Sequence, residues 1–170
     1  MATVRSAVAE DTRQMAVVRV ETWRCAYAGL VPDSLLDGLS VEGSAERFFE
    51  AISAFPTVRV AVVEEEHRVL GFSLSGPCRG EDCHGRGEIY ALYVLPEHQG
   101  RGIGTALFEA AISELAAREL LPVEIRVLAG NPYTRFYEKH RCRLVGERLE
   151  ELEGVSLLLK VYVADGEDAR

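Results

Sequence analysis

Long apolar runs are missing from this chain. No stretch of its 170 residues approaches the roughly 20 apolar positions that a bilayer-crossing helix needs. The opening MATVRSAVAEDTRQ lacks the apolar core of a secretory signal, so residence in the cytoplasm, with no membrane partner, is expected. Basic charge is short as well: 19 Lys+Arg against 27 Asp+Glu leave a formal net charge of −8. That balance argues against a general nucleic-acid-binding surface and mildly favours cationic small substrates such as amines. Cysteine is sparse, and Cys25, Cys78, Cys83 and Cys142 are too few and too scattered for a disulfide framework. Cys78, Cys83 and His84 lie close together, but their spacing is not C-x-x-C and no metal is expected there. Repeats, linkers and low-complexity segments are absent too, so a single domain over 1–170 is expected.

What is present is ordinary globular composition, 48% hydrophobic and 27% charged, and one unusual stretch. Leu92 to Thr105 reads LYVLPEHQGRGIGT. An apolar run ending at Leu95 is stopped by Pro96 and opens into glycines. Ile103, Leu107, Ala111 and Leu115 then recur every fourth residue, the period of one helix face. The glycines therefore fall between a strand and the first turn of a helix. There, free backbone N–H groups and the positive end of the helix dipole suit an anion such as a phosphate. Two common phosphate loops do not fit. A P-loop needs Lys and then Ser or Thr after its last glycine, and no Lys follows here. The dinucleotide fingerprint needs G-x-G-x-x-G near the start of a fold, whereas Gly100, Gly102 and Gly104 give G-x-G-x-G past mid-chain.

The remaining pattern interleaves strands and helices, an α/β arrangement with helices on the faces of a sheet. Strands are expected at Thr3–Val8, Val58–Val63, Val69–Leu74, Glu88–Leu95, Val123–Leu128, Cys142–Arg148 and Val155–Val163. Helices are expected from Glu10 until Gly29, from Pro32 to Leu39, after Ser40 as N-cap, to about Leu120, and over Asn131–His140. Glu64–Glu66 and Glu150–Glu151 read as solvated strand ends. Pro77–Gly87 reads as a surface loop, and the tail from Ala164 as frayed.

Gln99-Gly100-Arg101-Gly102-Ile103-Gly104 resembles the Q/R-x-x-G-x-G/A signature of the GNAT superfamily of N-acetyltransferases. The strand Glu88–Val94 stands where that family has its central splayed strand. Asn131 with Phe136-Tyr137-Glu138-Lys139 is similar to its N…FYEK element. Trp23, Ala26-Tyr27, Gly29 and Pro32-Asp33 are similar to the W…AY.G..P sequence of a bacterial branch. One departure stands out: the glycine usual after FYEK is replaced by His140-Arg141-Cys142, which puts the tight turn there in question.

The resemblance implies a mixed central sheet with a splayed parallel pair, helices on both faces, and acetyl-coenzyme A as co-substrate without a metal. It implies direct transfer to the primary amine of a small molecule. Alternatives are a protein N-terminus or lysine as acceptor, or a non-catalytic acyl-CoA sensor. Members are often dimers. The amides of Gly100, Arg101, Gly102, Ile103, Gly104 and Thr105 would take the diphosphate, with Gln99 opening the loop and Asn131 also against the cofactor. The Thr105 hydroxyl would either join them or cap the helix. The main chain of Leu92, Tyr93 and Val94 would meet the pantetheine arm and the thioester carbonyl. Glu88 falls where a histone-modifying branch has its general base, a role helped by burial among apolar neighbours. Period-two alternation puts Tyr90, Leu92 and Val94 on Glu88's face, and Tyr90 and Tyr93 on opposite faces. Tyr137 is the candidate acid for the departing thiolate. Trp23, Tyr27 and Tyr90 are candidate walls of the acceptor site, Trp23 and Tyr27 also fitting a core stripe.

Overall fold

A computed structural model describes residues 2–54, 59–80, 83, 85–152 and 154–166. The start of the expected strand at Val58, His84 and the tail beyond 166 lie outside the described residues.

The order is β1 (Thr3–Ser6), α1 (Thr12–Ala26), α2 (Asp33–Asp37), α3 (Val41–Ala54), β2 (Arg59–Glu65), β3 (Arg68–Pro77), β4 (Gly87–Val94), α4 (Ile103–Ala117), β5 (Val123–Leu128), α5 (Thr134–Lys139), β6 (Arg143–Leu152) and β7 (Val155–Ala164). Local chemistry explains most of the boundaries. Ser40 accepts the Gly43 N–H at 3.0 Å, the expected cap of α3. Glu66 and His67 take φ of +51° and +65°, the left-handed pair that a tight hairpin between β2 and β3 requires. After α1, Gly29 at φ +76° turns the chain toward α2.

The strands form one sheet in the order β1-β2-β3-β4-β5-β7-β6. Among the described strands only β4 and β5 pair in parallel, over three positions, Gly87 with Val123, Glu88 with Glu124 and Ile89 with Ile125. From Tyr90 onward the two strands part. The backbone of β4 on that side then has no strand partner among the described residues, a cost that only a ligand, water or side chains can offset.

One face of the sheet packs on α4 and α5: Ile89, Val123, Ile125 and Val127 meet Phe108, Ala111, Ile112, Leu115 and Tyr137. On the other face Met15, Ala16 and Val18 of α1 and Phe48 of α3 pack on Val62 and Phe72. Further along α1, Trp23, Ala26 and Tyr27 pack with Leu35, Leu36, Leu39 and Leu128. Helices thus cover both faces, as expected.

Three readings need correction. Leu74 pairs with Ala91 and Ser75 with Ile89, so Tyr90 is the extra residue of a β-bulge. The bulge resets the alternation. Leu92 and Val94 join Ile89's side against α4, not Glu88's. Second, β6 continues to Leu152, and Glu150 is an ion-pair partner of Arg126 at 2.7 Å, not a solvated strand end. Third, Cys78 and Cys83 form a single disulfide that ties the loop between β3 and β4. Glu124 lies beside these sulfurs, but the bond between them removes both as thiolate ligands. Among the described residues no helix is long and apolar enough to cross a membrane.

Candidate active site

Where β4 and β5 part, a cavity of about 470 Å³ runs through the sheet, bordered by residues from both faces. Gly100, Gly102, Gly104, Thr105, Phe136, Tyr137, Lys139 and His140 line it on the α4–α5 side, and Thr22, Ala26 and Tyr27 line it from α1. Tyr90 through Val94, Arg126 and Asn131 also belong to the wall.

The glycine loop is built for close approach. Gly100 and Gly102 hold φ of +74° and +82°, Gly102 as N-cap of α4. Backbone bonding stops at Gln99, whose N–H donates to the Pro96 carbonyl, and resumes where Ala106 closes on Gly102 at 3.0 Å. The donors between them sit at the positive end of a fifteen-residue helix. A Cβ on Gly104 would lie 3.3 Å from the Phe136 ring, so the bare glycine keeps the floor of the loop low. The Gln99 amide donates to the Val94 carbonyl at 3.1 Å and ties the loop to the end of β4. Arg101 turns away from the cavity, with His98 at 2.7 Å and Glu65 at 3.6 Å.

The Thr105 hydroxyl does not cap the helix. It meets Nε2 of His140 at 3.2 Å, and that ring packs against Phe136 and Phe108 with centroids at 4.6 and 4.9 Å. His140 is a cavity residue that sequence reasoning missed, because 35 positions separate it from Thr105. The turn after α5 forms without the usual glycine: Arg141 takes φ +55° and the Cys142 N–H bonds the Tyr137 carbonyl at 3.0 Å.

Tyr137 is buried and stacks on Tyr162 with centroids 5.7 Å apart. Its hydroxyl makes no hydrogen bond to a described residue, and burial raises its pKa well above the ordinary phenol value, with Tyr93 adding to the shift. Tyr93 accepts the Trp23 indole N–H at 3.0 Å, and Tyr27 accepts the Asn131 amide at 3.3 Å. Burial raises both of these phenols too. Trp23 itself is not among the lining residues. It stands behind Tyr27 and Tyr93, edge-on to the Tyr27 ring at 4.8 Å. Tyr90 and Tyr93 both border the cavity, which takes residues from both faces of the sheet, and the bulge at Tyr90 breaks the alternation expected between them. The Tyr90 hydroxyl donates to the Pro77 carbonyl, and Arg79 lies 4.5 Å over its ring.

Glu88 is fully buried, but its surroundings are charged, not apolar. Arg79 reaches its carboxylate through the backbone N–H at 2.9 Å, Nη2 at 2.7 Å and Nε at 3.3 Å. Arg126 stands 3.8 Å away and binds Glu124 at 2.8 Å and Glu150 at 2.7 Å. The cavity wall includes Arg126 but not Glu88.

A parted parallel pair, a helix N-terminus of free amides and a buried phenol together define an α/β enzyme that handles an anionic carrier. The family model of the GNAT acetyltransferases matches residues 22–141, and the chain belongs to that family. It is an N-acetyltransferase whose co-substrate is acetyl-coenzyme A. The chain is 32% identical over 157 residues, 92% of its length and 89% of the relative's, to the uncharacterized N-acetyltransferase YuaI of Bacillus subtilis. Similar solved folds include an N-acetyltransferase from Staphylococcus aureus, with TM-score 0.75 and 21% identity over 98% of this chain and 99% of that one. Another is the PaiA N-acetyltransferase of Thermoplasma acidophilum in complex with coenzyme A, with TM-score 0.70 and 19% identity over 94% of this chain and 98% of that one.

Proposed function

We propose that this enzyme moves the acetyl group of acetyl-coenzyme A to the primary amine of a small molecule, with both substrates bound at once. The observation that carries this reading is the cavity itself, which opens to the glycine loop on one face and to tyrosines on the other. Two ligands can therefore meet in the gap between β4 and β5. The free amides of Gly100 through Thr105, the Lys139 charge and the low floor at Gly104 fit a diphosphate. The edge of β4 that β5 leaves without a strand partner, from Leu92 to Val94, fits an amide-bearing arm and a thioester carbonyl.

Acetyl-coenzyme A supplies an activated acetyl carbon: the new N–C bond forms there as the C–S bond breaks and sulfur leaves as a thiolate. Tyr137 serves that sulfur. Its raised pKa keeps the phenol protonated at neutral pH but makes full proton transfer to a thiolate more uphill. The hydroxyl therefore works as a hydrogen-bond donor to the developing charge, and solvent supplies the final proton. The amine attacks in its neutral form and loses its remaining excess proton to water. Glu88, with its oxygens engaged by Arg79, acts in this reading by positioning Arg79 and Arg126 rather than as the base.

The same reading places the enzyme in the cytoplasm as a homodimer. The edge strand β6, where Leu144, Val145 and Leu149 are 52%, 51% and 69% exposed, supports pairing of two copies. The test is thiol release from acetyl-coenzyme A across an amine panel. Intersecting initial-rate lines support a ternary complex. Cofactor binding without turnover on any amine would favour the sensor reading instead.

A further inference from the structure

The charge on the cavity wall does not follow the charge of the chain. The sequence holds 27 Asp+Glu, yet none of the described lining residues is acidic, and the charged ones are Arg126 and Lys139. They lie on opposite faces of the sheet. Lys139 belongs to α5, whereas Arg126 alternates with Ile125 and Val127, which face α4 and α5, and so falls on the side of α1. Lys139 lies on the glycine-loop side and Arg126 on the other, where Glu124, Glu150 and Glu88 already balance its charge.

Two hydroxyls of the same wall, those of Tyr27 and Tyr93, have a fixed polarity. An indole N–H can only donate, so the Tyr93 oxygen accepts from Trp23 and its own O–H must point elsewhere. The Asn131 amide is oriented by the Tyr133 N–H, which Oδ1 accepts at 2.8 Å. Its Nδ2 therefore faces Tyr27, and the Tyr27 O–H must likewise donate elsewhere. Neither O–H has an acceptor among the described residues. The two phenols lie near enough to interact electrostatically, without a hydrogen bond between them. Burial keeps both protonated through the neutral range. An ammonium offers only donors and a neutral amine nitrogen a single lone pair, whereas a carboxylate accepts from both hydroxyls at once.

We propose that the acceptor is an amino carboxylate, whose carboxylate is held by the hydroxyls of Tyr27 and Tyr93 on the face that carries Arg126. This rests on the acetyl-transfer reading and reverses the preference for purely cationic amines that overall charge suggests.

The test compares the twenty amino acids with their decarboxylated amines on the full-length enzyme. Binding to the coenzyme A-loaded protein is measured by calorimetry and transfer by thiol release. At least one amino acid is expected to bind and react tenfold or more better than its matched amine. Tyr27→Phe and Tyr93→Phe should each reduce that ratio about tenfold, thermal unfolding confirming a folded protein. The wild-type comparison needs no variant. Amines used as well as or better than their amino acids overturn the carboxylate assignment and leave acetyl transfer standing, as does a ratio unchanged in both folded Phe variants. Acetyl-coenzyme A binding with transfer to no member overturns both.

Discussion

The Trp23 indole N–H donates to the Tyr93 hydroxyl oxygen at 3.0 Å, joining α1 to β4 across 70 positions of sequence. Trp23 is a candidate from sequence for touching the acceptor, but it stands behind Tyr93, to which it donates, and edge-on to Tyr27. Trp23→Phe retains most of the packing and removes the donor. The expected result is a few-fold rise in the acceptor KM with little change in the acetyl-coenzyme A KM. Loss of a buried hydrogen bond should also cost about 1 kcal/mol in denaturant unfolding. An equal rise in both constants would contradict a positioning role confined to the acceptor side.

The two helix-start glycines should separate strain from space. Gly102 sits at φ +82° with nothing within 4 Å of where a Cβ would stand, so Gly102→Ala is penalised by backbone conformation. It should lower stability by about 1–2 kcal/mol. Gly104 has ordinary helical φ, and its added Cβ would press on Phe136 at 3.3 Å. Gly104→Ala should leave stability within about 1 kcal/mol, since helix propensity offsets the contact, and weaken acetyl-coenzyme A binding measured by calorimetry.

Tyr137→Phe should lower kcat about 10- to 100-fold, the loss of one donor to developing charge, with acetyl-coenzyme A affinity nearly unchanged. Because burial raises its phenol, the wild-type kcat should show no falling limb from this group below about pH 10. An unchanged kcat in the variant would remove Tyr137 from the reaction.

Stability should follow the same phenols. The folded-state pKa values of Tyr27, Tyr93 and Tyr137 are all raised by burial. Their stabilising contribution is complete below the unfolded value near pH 10 and is lost as pH rises through the folded values. Denaturant midpoints should be insensitive to these groups from pH 7 to 9 and fall steeply above about pH 10. Asp11 works at the other end: the Arg5 hydrogen bonds lower its pKa, so its contribution is present above about pH 4 and is lost on further acidification.

Glu88→Gln distinguishes a positioning carboxylate from a base. The acidic limb of kcat/KM should persist, since it follows ionisation of the amine, while Arg79 and Arg126 lose a charged partner. Stability should fall by about 1.5–3 kcal/mol, the value of hydrogen bonds to a charged group. Loss of the acidic limb with stability intact would restore Glu88 as the base.

Much of the architecture was legible because it rests on local rules. The order of strands and helices, the Ser40 cap, and the glycine loop between β4 and α4 all follow from spacing and turn chemistry. What escaped depends on contacts between distant segments. Nothing near Tyr90 announces the bulge, which is set by how β3 pairs, and it moved Leu92 and Val94 to the other face. His140 gains its partner only when α5 meets α4. Composition also could not show that Glu88, Glu124 and Glu150 are gathered onto Arg126. A formal sum of charges cannot show where they cluster.

The measurement that bears most directly on the account is a crystal structure with coenzyme A bound. The account predicts the diphosphate within hydrogen-bonding distance of the amides between Gly100 and Thr105 and the thiol in the gap beside Tyr137. A diphosphate held anywhere else, with that loop unchanged and bare, would contradict it.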